Sequence, residues 1–309
     1  MESAAIGIFD SGLGGLTVAR EIARALPHET LVYLGDTARC PYGPRDLSEV
    51  RRFVAEIGSW LLEQRVKFIV VACNTATAAG LTLAQRAFPV PVVGVIEPGA
   101  RAAVMATNNR RVGVIGTIGT IESGAYSQAV RALDAGVTVF SVATPRFVQI
   151  AEEGLRLDAG PMEGLLADSA DVFVRPSFHE IARDYLDPLK RSGIDTLVLG
   201  CTHYPLLSAS IQQVVGPRVR LISSAHETAL EVAETLARRG QLAAASPTRP
   251  RHRFATTGDA VEFARLGSRV FGAPVADVVA ISIRELADSV AGDVRALIDE
   301  SPAEEASCA

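Results

Sequence analysis

Lysine is almost absent from this chain of 309 residues, which contains only Lys67 and Lys190. Lys67 precedes an apolar segment that predicts a strand, and Lys190 lies in a segment that predicts a helix. Neither position suits a Schiff base at a strand end, so the sequence disfavours a pyridoxal phosphate enzyme. The absence of a Gly-Lys-Ser/Thr segment likewise disfavours a phosphate-binding P-loop.

Long apolar runs and an excess of positive charge are also missing. No apolar stretch approaches the ~20 residues that a membrane span requires. The net charge of −5 argues against non-specific binding to nucleic acids or membranes. Residues 1–5 lack a basic segment and lead directly into a predicted strand. We therefore expect no signal peptide and a cytoplasmic protein.

Cysteine is sparse, and no two cysteines form a Cys-x-x-Cys pair. This spacing argues against a zinc ribbon, and no metal site is predicted. Because the chain is large and no secretion signal is predicted, we expect reduced thiols rather than disulfides. Cys40 and Cys308 have no counterpart elsewhere in the sequence, and we interpret both as bystanders. The four cysteines are Cys40, Cys73, Cys201 and Cys308.

Two of the cysteines occur in matching segments, 68–75 and 196–203. Each segment is an apolar run, followed by a small residue, a cysteine and hydrogen-bonding side chains. Such a run predicts a buried parallel strand. Cys73 and Cys201 are therefore predicted at the carboxyl ends of two strands, where open α/β sheets bind ligands. Two equivalent bases in one site suit a reaction that needs one base on each face of a substrate.

The strand, glycine turn and helix that begin the chain recur near residue 111. Aligning Asp10 with Gly116 also matches Cys73 with Cys201, apart from an insertion within residues 155–178. We interpret this pattern as a diverged internal duplication. The predicted fold class is α/β, with mainly parallel sheets in two related halves. Asp10 is expected at the end of the first strand, on the same sheet edge as Cys73.

Each candidate residue also has a purely structural interpretation. A single cysteine is commonly buried in a core, Asp10 and Ser11 could cap the helix that follows, and an isolated histidine is usually structural. For Cys73 and Cys201 the matched placement and the polar residues that follow favour a functional role. His203 lies two residues after Cys201, which favours function for this histidine as well.

Six segments together carry a family signature: 10–15, 36–43, 72–76, 147–152, 200–207 and 256–259. They resemble the glutamate racemases, which belong to the cofactor-independent aspartate/glutamate racemases. The likeness runs in order over residues 6–263. Gly-Cys-Thr-His-Tyr-Pro is specific to the family, whereas Cys-Asn-Thr is shared with the wider superfamily. The sequence departs from the family at Gln149, where proline is usual, and in the longer segment 155–178.

The resemblance implies two pseudo-symmetric three-layer α/β domains with the active site in the cleft between them. We expect residues 1–98 with 221–285 to form the first domain and 99–220 the second. Residues 286–309 are expected to form a partly flexible C-terminal extension. The resemblance further implies no cofactor, glutamate as the small-molecule substrate and no nucleic-acid partner. It also implies a homodimer that supplies D-glutamate for bacterial peptidoglycan.

The resemblance also implies roles for individual residues. Cys73 and Cys201 would transfer protons at Cα, Asp10 would assist Cys73, and His203 with Glu152 would assist Cys201. The residues implied in substrate contact are Asp10, Ser11, Tyr42, Gly43, Asn74, Thr75, Thr117, Thr120, Thr202 and His203.

The residues alone leave other functions open. An aspartate or hydantoin racemase would share most of this pattern, and so would a single-thiol decarboxylase, although the second thiol disfavours the decarboxylase. A non-catalytic thiol protein that senses redox state or binds a metal is the alternative from a different class.

Overall fold

The computed structural model of the chain describes residues 4–157 and 176–299. Two parallel sheets organise these residues. The first sheet has the strand order β10-β9-β2-β1-β3-β4, and all of its strand pairs are parallel. In chain order its strands are β1 (Ile6–Asp10), β2 (Leu31–Gly35), β3 (Phe68–Val71), β4 (Val92–Gly94), β9 (Arg253–Thr256) and β10 (Val279–Ala280).

The second sheet repeats the central part of the first. Its strands are β5 (Arg111–Gly116), β6 (Thr138–Ala143), β7 (Thr196–Gly200) and β8 (Arg220–Ser223). They pair in parallel in the order β6-β5-β7-β8, which matches β2-β1-β3-β4 strand for strand. The shared order supports the internal duplication inferred from the sequence. It also makes β3 and β7, the strands that precede Cys73 and Cys201, equivalent.

Helices connect the strands and cover the sheets. Residues 204–207 form a single 3₁₀ turn directly after His203. The α-helices are α1 (Leu16–Ala25), α2 (Leu47–Glu63), α3 (Asn74–Ala87), α4 (Ile96–Ala106), α5 (Ile118–Glu122), α6 (Ala125–Leu133), α7 (Arg146–Leu157), α8 (Pro176–Arg191), α9 (Ser208–Val215), α10 (Ser224–Arg238), α11 (Ala260–Phe271), α12 (Ile283–Asp288) and α13 (Gly292–Asp299).

The first sheet is covered on both faces, as buried parallel strands require. Side chains alternate along β1, so that Ile6 and Ile8 pack with α1, α10 and α11. Phe9 points to the opposite face and packs with α2 and α3. Every residue of β1 and β2 is buried. Because both faces of these strands are buried, the strands appear as continuous apolar runs in the sequence.

The second sheet has the same three-layer arrangement. Val112 and Val114 of β5 pack on α4 and α6, whereas Ile115 belongs to the cluster that includes α7, α8 and α9. That cluster is continuous with the α1 side of the first sheet, so the two halves share a hydrophobic core. The fold class expected from the sequence is confirmed.

The observed elements differ from the sequence-based boundaries in two places. Strand β8 extends to Ser223 and pairs with β7, so an interdomain boundary between residues 220 and 221 would divide a strand of the second sheet. A boundary at residue 286 would likewise divide α12. Leu286, Val290 and Val294 are buried against the α2 side of the first sheet, so this part of the expected extension is packed. Residues 158–175 of the insertion, and 300–309, lie outside the described residues.

None of the described helices combines the length and the apolar character that crossing a membrane requires.

Candidate active site

Cys73 and Cys201 line one cavity of about 220 Å³. Cys73 follows β3 and directly precedes α3, and Cys201 directly follows β7. Each residue is only 6% exposed. Because β3 and β7 are equivalent strands of the two sheets, each half of the molecule contributes one thiol to the same cavity.

Most of the residues expected in proton transfer or substrate contact lie in this cavity wall. Asp10, Thr120 and Glu152 do not: Asp10 and Thr120 are buried behind the wall, and Glu152 lines an adjacent cavity. The expected residues that line the thiol cavity are Ser11, Tyr42, Gly43, Cys73, Asn74, Thr75, Thr117, Cys201, Thr202 and His203. Sequence analysis did not identify the wall residues Cys40, Pro41, Pro44, Ile118, Pro145, Val148 and Gln149.

Cys40 therefore differs from its interpretation as a bystander. It lies in the loop after β2 and its thiol is half-buried in the wall of the cavity. Burial, together with the charges of Glu152 and Asp10, raises the pKa of Cys40 to about 12, so this thiol stays protonated. Cys308 lies outside the described residues.

Asp10 organises the turn that follows β1. Its Oδ2 atom accepts hydrogen bonds from the backbone N–H groups of Gly12 at 3.0 Å and Gly15 at 2.9 Å. Its other oxygen lies 3.5 Å from the hydroxyl of Thr202, which belongs to the second half. Asp10 is fully buried. The carboxylate thus holds the glycine turn and reaches across to the Cys201 segment, without entering the cavity wall.

The environment of Cys73 favours the neutral thiol. Burial raises its pKa well above the ordinary range, and the negative charge of Asp10 adds to this effect. The backbone N–H of Ala76 and the hydroxyl of Ser11 oppose the shift but are outweighed. The Ser11 oxygen lies 3.8 Å from the Cys73 sulfur. Cys73 is therefore held as a neutral thiol.

Cys201 has a different environment, because His203 lies beside it. The Cys201 sulfur is 3.9 Å from Nδ1 of His203, and Nε2 of the same ring is 3.3 Å from Oε1 of Glu152. The second contact is close but poorly aligned for a hydrogen bond, since Nε2 has no hydrogen-bond partner among the described residues. Charge attraction is therefore its main component.

The charges of this group support one another. Burial would lower the pKa of His203, but Cys201 and Glu152 together raise it well above its ordinary value. Burial would raise the pKa of Glu152, yet the contact with His203 lowers it. Both effects favour an imidazolium facing a carboxylate. The cation His203 lies beside Cys201 and the negative charge of Asp10 acts on Cys73, so the two thiols occupy unequal electrostatic environments.

Hydroxyl and amide groups from both halves meet on another side of the cavity. Thr75 of α3 hydrogen-bonds to Thr117 at 2.9 Å and to Thr120 at 3.3 Å, across the interface between the halves. Asn74 is buried, and its Nδ2 atom has no hydrogen-bond partner in the part of the chain that the structure describes. These groups can donate hydrogen bonds to a carboxylate. No lysine or arginine of the described residues lines this cavity.

Tyr42 contributes to the site differently from a simple substrate contact. Its hydroxyl donates to Asp36, which also binds Arg39 at 2.6 Å and accepts a hydrogen bond from Thr257 at 2.7 Å. The phenol is thus occupied within the protein. Tyr42 lines the cavity, but its hydroxyl serves to fix the loop that carries Gly43.

The two halves approach closely at Gly14. A Cβ atom at this position would lie 2.4 Å from the Thr202 hydroxyl oxygen and 2.7 Å from Nδ1 of His203. No side chain fits there without displacing one of these groups. The glycine turn after β1 therefore allows the Cys201 segment to pack directly on it.

A sequence profile of the family described as Asp/Glu/Hydantoin racemase matches residues 6–232. The chain belongs to this family. Glutamate racemase from Bacillus cereus is 47% identical over 274 residues, covering 89% of this chain and 95% of the relative. The crystal structure of the isoform RacE1 from Bacillus anthracis has a TM-score of 0.80 at 43% identity and covers 92% of this chain and 99% of that one. Glutamate racemase from Francisella tularensis, crystallised with D-glutamate, has a TM-score of 0.79 at 30% identity, covering 91% and 98%.

These similarities confirm the resemblance drawn from the motifs and identify the chain as a racemase, an isomerase. The larger cavity of this racemase, about 420 Å³, is not the one that contains the thiol pair. It shares Cys40, Pro41, Val148 and Gln149 with the thiol cavity and is also lined by Glu152. The thiol pair lies in the smaller cavity.

Proposed function

We propose that this racemase interconverts L-glutamate and D-glutamate, using Cys73 and Cys201 as the two acid–base groups. One observation carries the proposal: two thiols that follow equivalent strands of the two halves line a single cavity. A racemase must remove the Cα proton from one face of its substrate and add one to the other. Two monoprotic groups on opposite sides of the substrate meet this requirement without a cofactor.

The unequal environments of the thiols define the resting state. The cation His203 lies 3.9 Å from the Cys201 sulfur, whereas burial and Asp10 keep Cys73 protonated. L-glutamate would lose its Cα proton to Cys201 and receive the Cys73 proton on the opposite face. This step leaves a thiol at Cys201 and a thiolate at Cys73. The same form of the site takes a proton from D-glutamate and reverses the reaction.

Neutral donors would stabilise the charge that develops on the substrate. Removal of the Cα proton places negative charge on the adjacent carboxylate, which becomes enolate-like. The hydroxyls of Thr75 and Thr117 lie in the cavity wall and can donate to such an oxygen. Donors that are already in place stabilise a developing charge without the reorganisation that water requires.

Glutamate is the favoured substrate because the relatives with 43–47% identity are glutamate racemases. Aspartate and hydantoins are the rivals within the family. The test is a comparison of the purified enzyme on L-glutamate, L-aspartate and a chiral hydantoin, followed by circular dichroism. We expect L-glutamate to lose its optical activity fastest, with the same end point from D-glutamate.

The same assay tests independence from cofactors. Activity should survive exhaustive dialysis against a chelator. Activity that is lost on dialysis and restored by pyridoxal phosphate or by a metal ion would contradict the proposal. Preferential racemisation of aspartate or of the hydantoin would replace glutamate as the substrate and leave the two-thiol mechanism in place.

We assign the enzyme a role in supplying D-glutamate for bacterial peptidoglycan, as a cytoplasmic homodimer. The assignment rests on similarity to the glutamate racemases. Deletion of the gene should create a requirement for D-glutamate in a host without a D-amino-acid transaminase, and normal growth without D-glutamate would contradict the role. Sedimentation analysis tests the dimer, and a monomer at assay concentration would contradict it.

A further inference from the structure

Tyr126 lies behind the thiol cavity and connects the two halves of the molecule. It is on α6, in the second half, and is 2% exposed. Its hydroxyl donates a hydrogen bond of 2.8 Å to Oδ1 of Asn74, which follows Cys73 in the first half. Tyr126 is not part of the cavity wall, whereas Asn74 is. Tyr126 therefore contacts a wall residue from the side that faces away from the cavity.

The hydrogen bond determines which end of the Asn74 amide is free. Oδ1 is occupied by Tyr126, and Nδ2 is buried with no hydrogen-bond partner among residues 4–157 and 176–299. Buried amide N–H groups normally have partners, because an unsatisfied donor is unfavourable. An unsatisfied donor in the wall of a cavity is explained when a ligand supplies the acceptor. Rotation of the amide by half a turn would exchange its two ends and place an acceptor there instead.

The ring of Tyr126 also contacts the segment that carries the other thiol. A Cβ atom at Gly200 would lie 3.0 Å from the ring and 2.6 Å from the backbone oxygen of Ile115, so only glycine fits. Gly200 directly precedes Cys201. Tyr126 therefore packs against the strand end before one thiol while its hydroxyl binds the residue after the other.

We propose that Tyr126 is a positioning residue for the racemisation. By donating to Oδ1 it holds the Asn74 amide with Nδ2 available to a carboxylate oxygen of the amino-acid substrate. The inference rests on the proposed function, because it requires a carboxylate in the thiol cavity. It assigns a substrate-orienting role to a residue that the substrate does not touch.

The hydroxyl is suited to this task over a wide pH range. Burial raises the pKa of Tyr126 above its ordinary value, an effect that the Ser224 hydroxyl only partly opposes. The phenol therefore stays protonated and remains a donor under assay conditions. Donation to the oxygen of a primary amide fixes the amide, because its NH₂ end cannot accept a hydrogen bond.

The test is Tyr126→Phe, which removes the hydroxyl and keeps the ring. Loss of one neutral hydrogen bond corresponds to a change on the order of fivefold. We expect KM for both enantiomers of glutamate to rise by about this factor, with a smaller change in kcat, because the bond orients a group that binds substrate and transition state alike. Unchanged KM for both enantiomers would overturn the proposal.

Tyr204→Phe is the matched control. Tyr204 is also fully buried, and its hydroxyl bonds to Thr144, at 2.7 Å to the hydroxyl and 3.0 Å to the backbone oxygen. Both variants should lower the thermal midpoint, since each leaves a buried polar group without its partner. Only Tyr126→Phe should raise KM. An equal rise in KM in both variants would assign the effect to general loss of stability and overturn the proposal.

A double-mutant cycle separates action through Asn74 from other effects. If Tyr126 acts by orienting this amide, Tyr126→Phe should not change KM further in an Asn74→Ala background. Multiplied effects of the two substitutions on KM would contradict the inference. Wild-type racemisation of glutamate is measured first. If the wild type does not racemise glutamate, the proposed function itself is wrong. If the wild type is active but the two substitutions change KM independently, only the role of Tyr126 is wrong.

Discussion

Glu152 and His203 face each other at 3.3 Å, measured from Oε1 to Nε2, although they come from α7 and from the loop after β7. His203 is almost fully buried, whereas the Glu152 side chain is about a quarter exposed, at 26%. The carboxylate therefore lies between the solvent and the histidine that adjoins Cys201. This arrangement makes Glu152 the counter-ion of an imidazolium that lies beside Cys201.

Replacing Glu152 should impair proton transfer by Cys201 more than proton transfer by Cys73. In Glu152→Gln the imidazolium loses its counter-ion, so a smaller fraction of His203 is protonated beside the thiolate. Each unit by which the His203 pKa falls changes the charged population by roughly tenfold at a pH above that pKa. We expect kcat with L-glutamate at pH 8 to fall by about tenfold. Glu153→Gln, at the exposed neighbouring residue, should leave kcat unchanged, and equal losses in the two variants would contradict this account.

The His203 ion pair should contribute to stability in a defined pH range. Folding raises the pKa of His203. Its contribution to the free energy of unfolding is therefore fully present below the unfolded pKa of ~6.5 and is lost as the pH rises through the folded pKa. The lowered pKa of Glu152 makes its contribution present above ~4.5 and lost at lower pH. The difference in thermal midpoint between the wild type and His203→Gln should therefore be largest between about pH 5 and 6.5.

The measurement is a series of thermal unfolding experiments from pH 4 to 9. The difference between the two proteins should shrink as pH rises above this range. His226→Gln is the control, since His226 is 61% exposed and 3.8 Å from Glu21, and exposed pairs contribute little. If the difference in thermal midpoint between the wild type and His203→Gln grows as the pH rises, the assignment of a protonated histidine is wrong.

Serine substitutions should separate the two thiols. A serine hydroxyl can form hydrogen bonds but is a far poorer base. Cys73→Ser should slow abstraction from D-glutamate analogues more than from L-analogues, and Cys201→Ser should do the reverse, each by at least about 10²-fold. The assay is one-way elimination from a β-chloro or N-hydroxy analogue of each enantiomer, which reports deprotonation alone.

Cys40→Ser is the matched control for this series, because it removes a third thiol from the same cavity wall. It should affect both enantiomers alike. If each serine variant slows elimination from the L- and D-analogues by the same factor, the assignment of one thiol to each face is wrong. Full racemase activity in Cys201→Ser would instead require a single-thiol mechanism.

A methyl group at Gly14 should separate the two halves of the site. In Gly14→Ala the new atom would lie 2.4 Å from the Thr202 hydroxyl oxygen, so the Cys201 segment must shift. We expect a loss of roughly 1–3 kcal/mol in the free energy of unfolding, typical of overpacking, and a fall in kcat of about 10²-fold from misplacement of the thiol. Gly292→Ala, where the added atom meets no neighbour within 4 Å, should change neither quantity measurably.

The sequence predicts the features that depend on strand periodicity. The apolar runs before Cys73 and Cys201 indicate buried parallel strands, and parallel strands place their carboxyl ends on one edge. The same reasoning brings Asp10 close to Cys73. Periodicity does not show, however, that the carboxylate of Asp10 accepts hydrogen bonds from the backbone N–H groups of Gly12 and Gly15. These hydrogen bonds depend on the path of the turn.

Features that depend on the packing of the halves could not be predicted. Tyr126 is indistinguishable in sequence from any core tyrosine on an amphipathic helix, and its contact with Asn74 crosses 52 positions of the chain. Val148 and Gln149 reach the cavity because of how α7 lies against the second sheet. The membership of strand β8 in the second sheet depends on its pairing with β7 rather than on its own residues.

The origin of the Cα hydrogen in the product tests the two-thiol mechanism most directly. The enzyme is incubated with L-glutamate in D₂O, and both enantiomers are separated early in the reaction and examined by mass spectrometry. Cys201 removes protium from the substrate, and Cys73 donates deuterium to the opposite face. The account predicts D-glutamate that carries deuterium at Cα beside unreacted L-glutamate that keeps its protium. D-glutamate that retains the protium of its parent would show that one group moves the proton between faces, and would contradict the account.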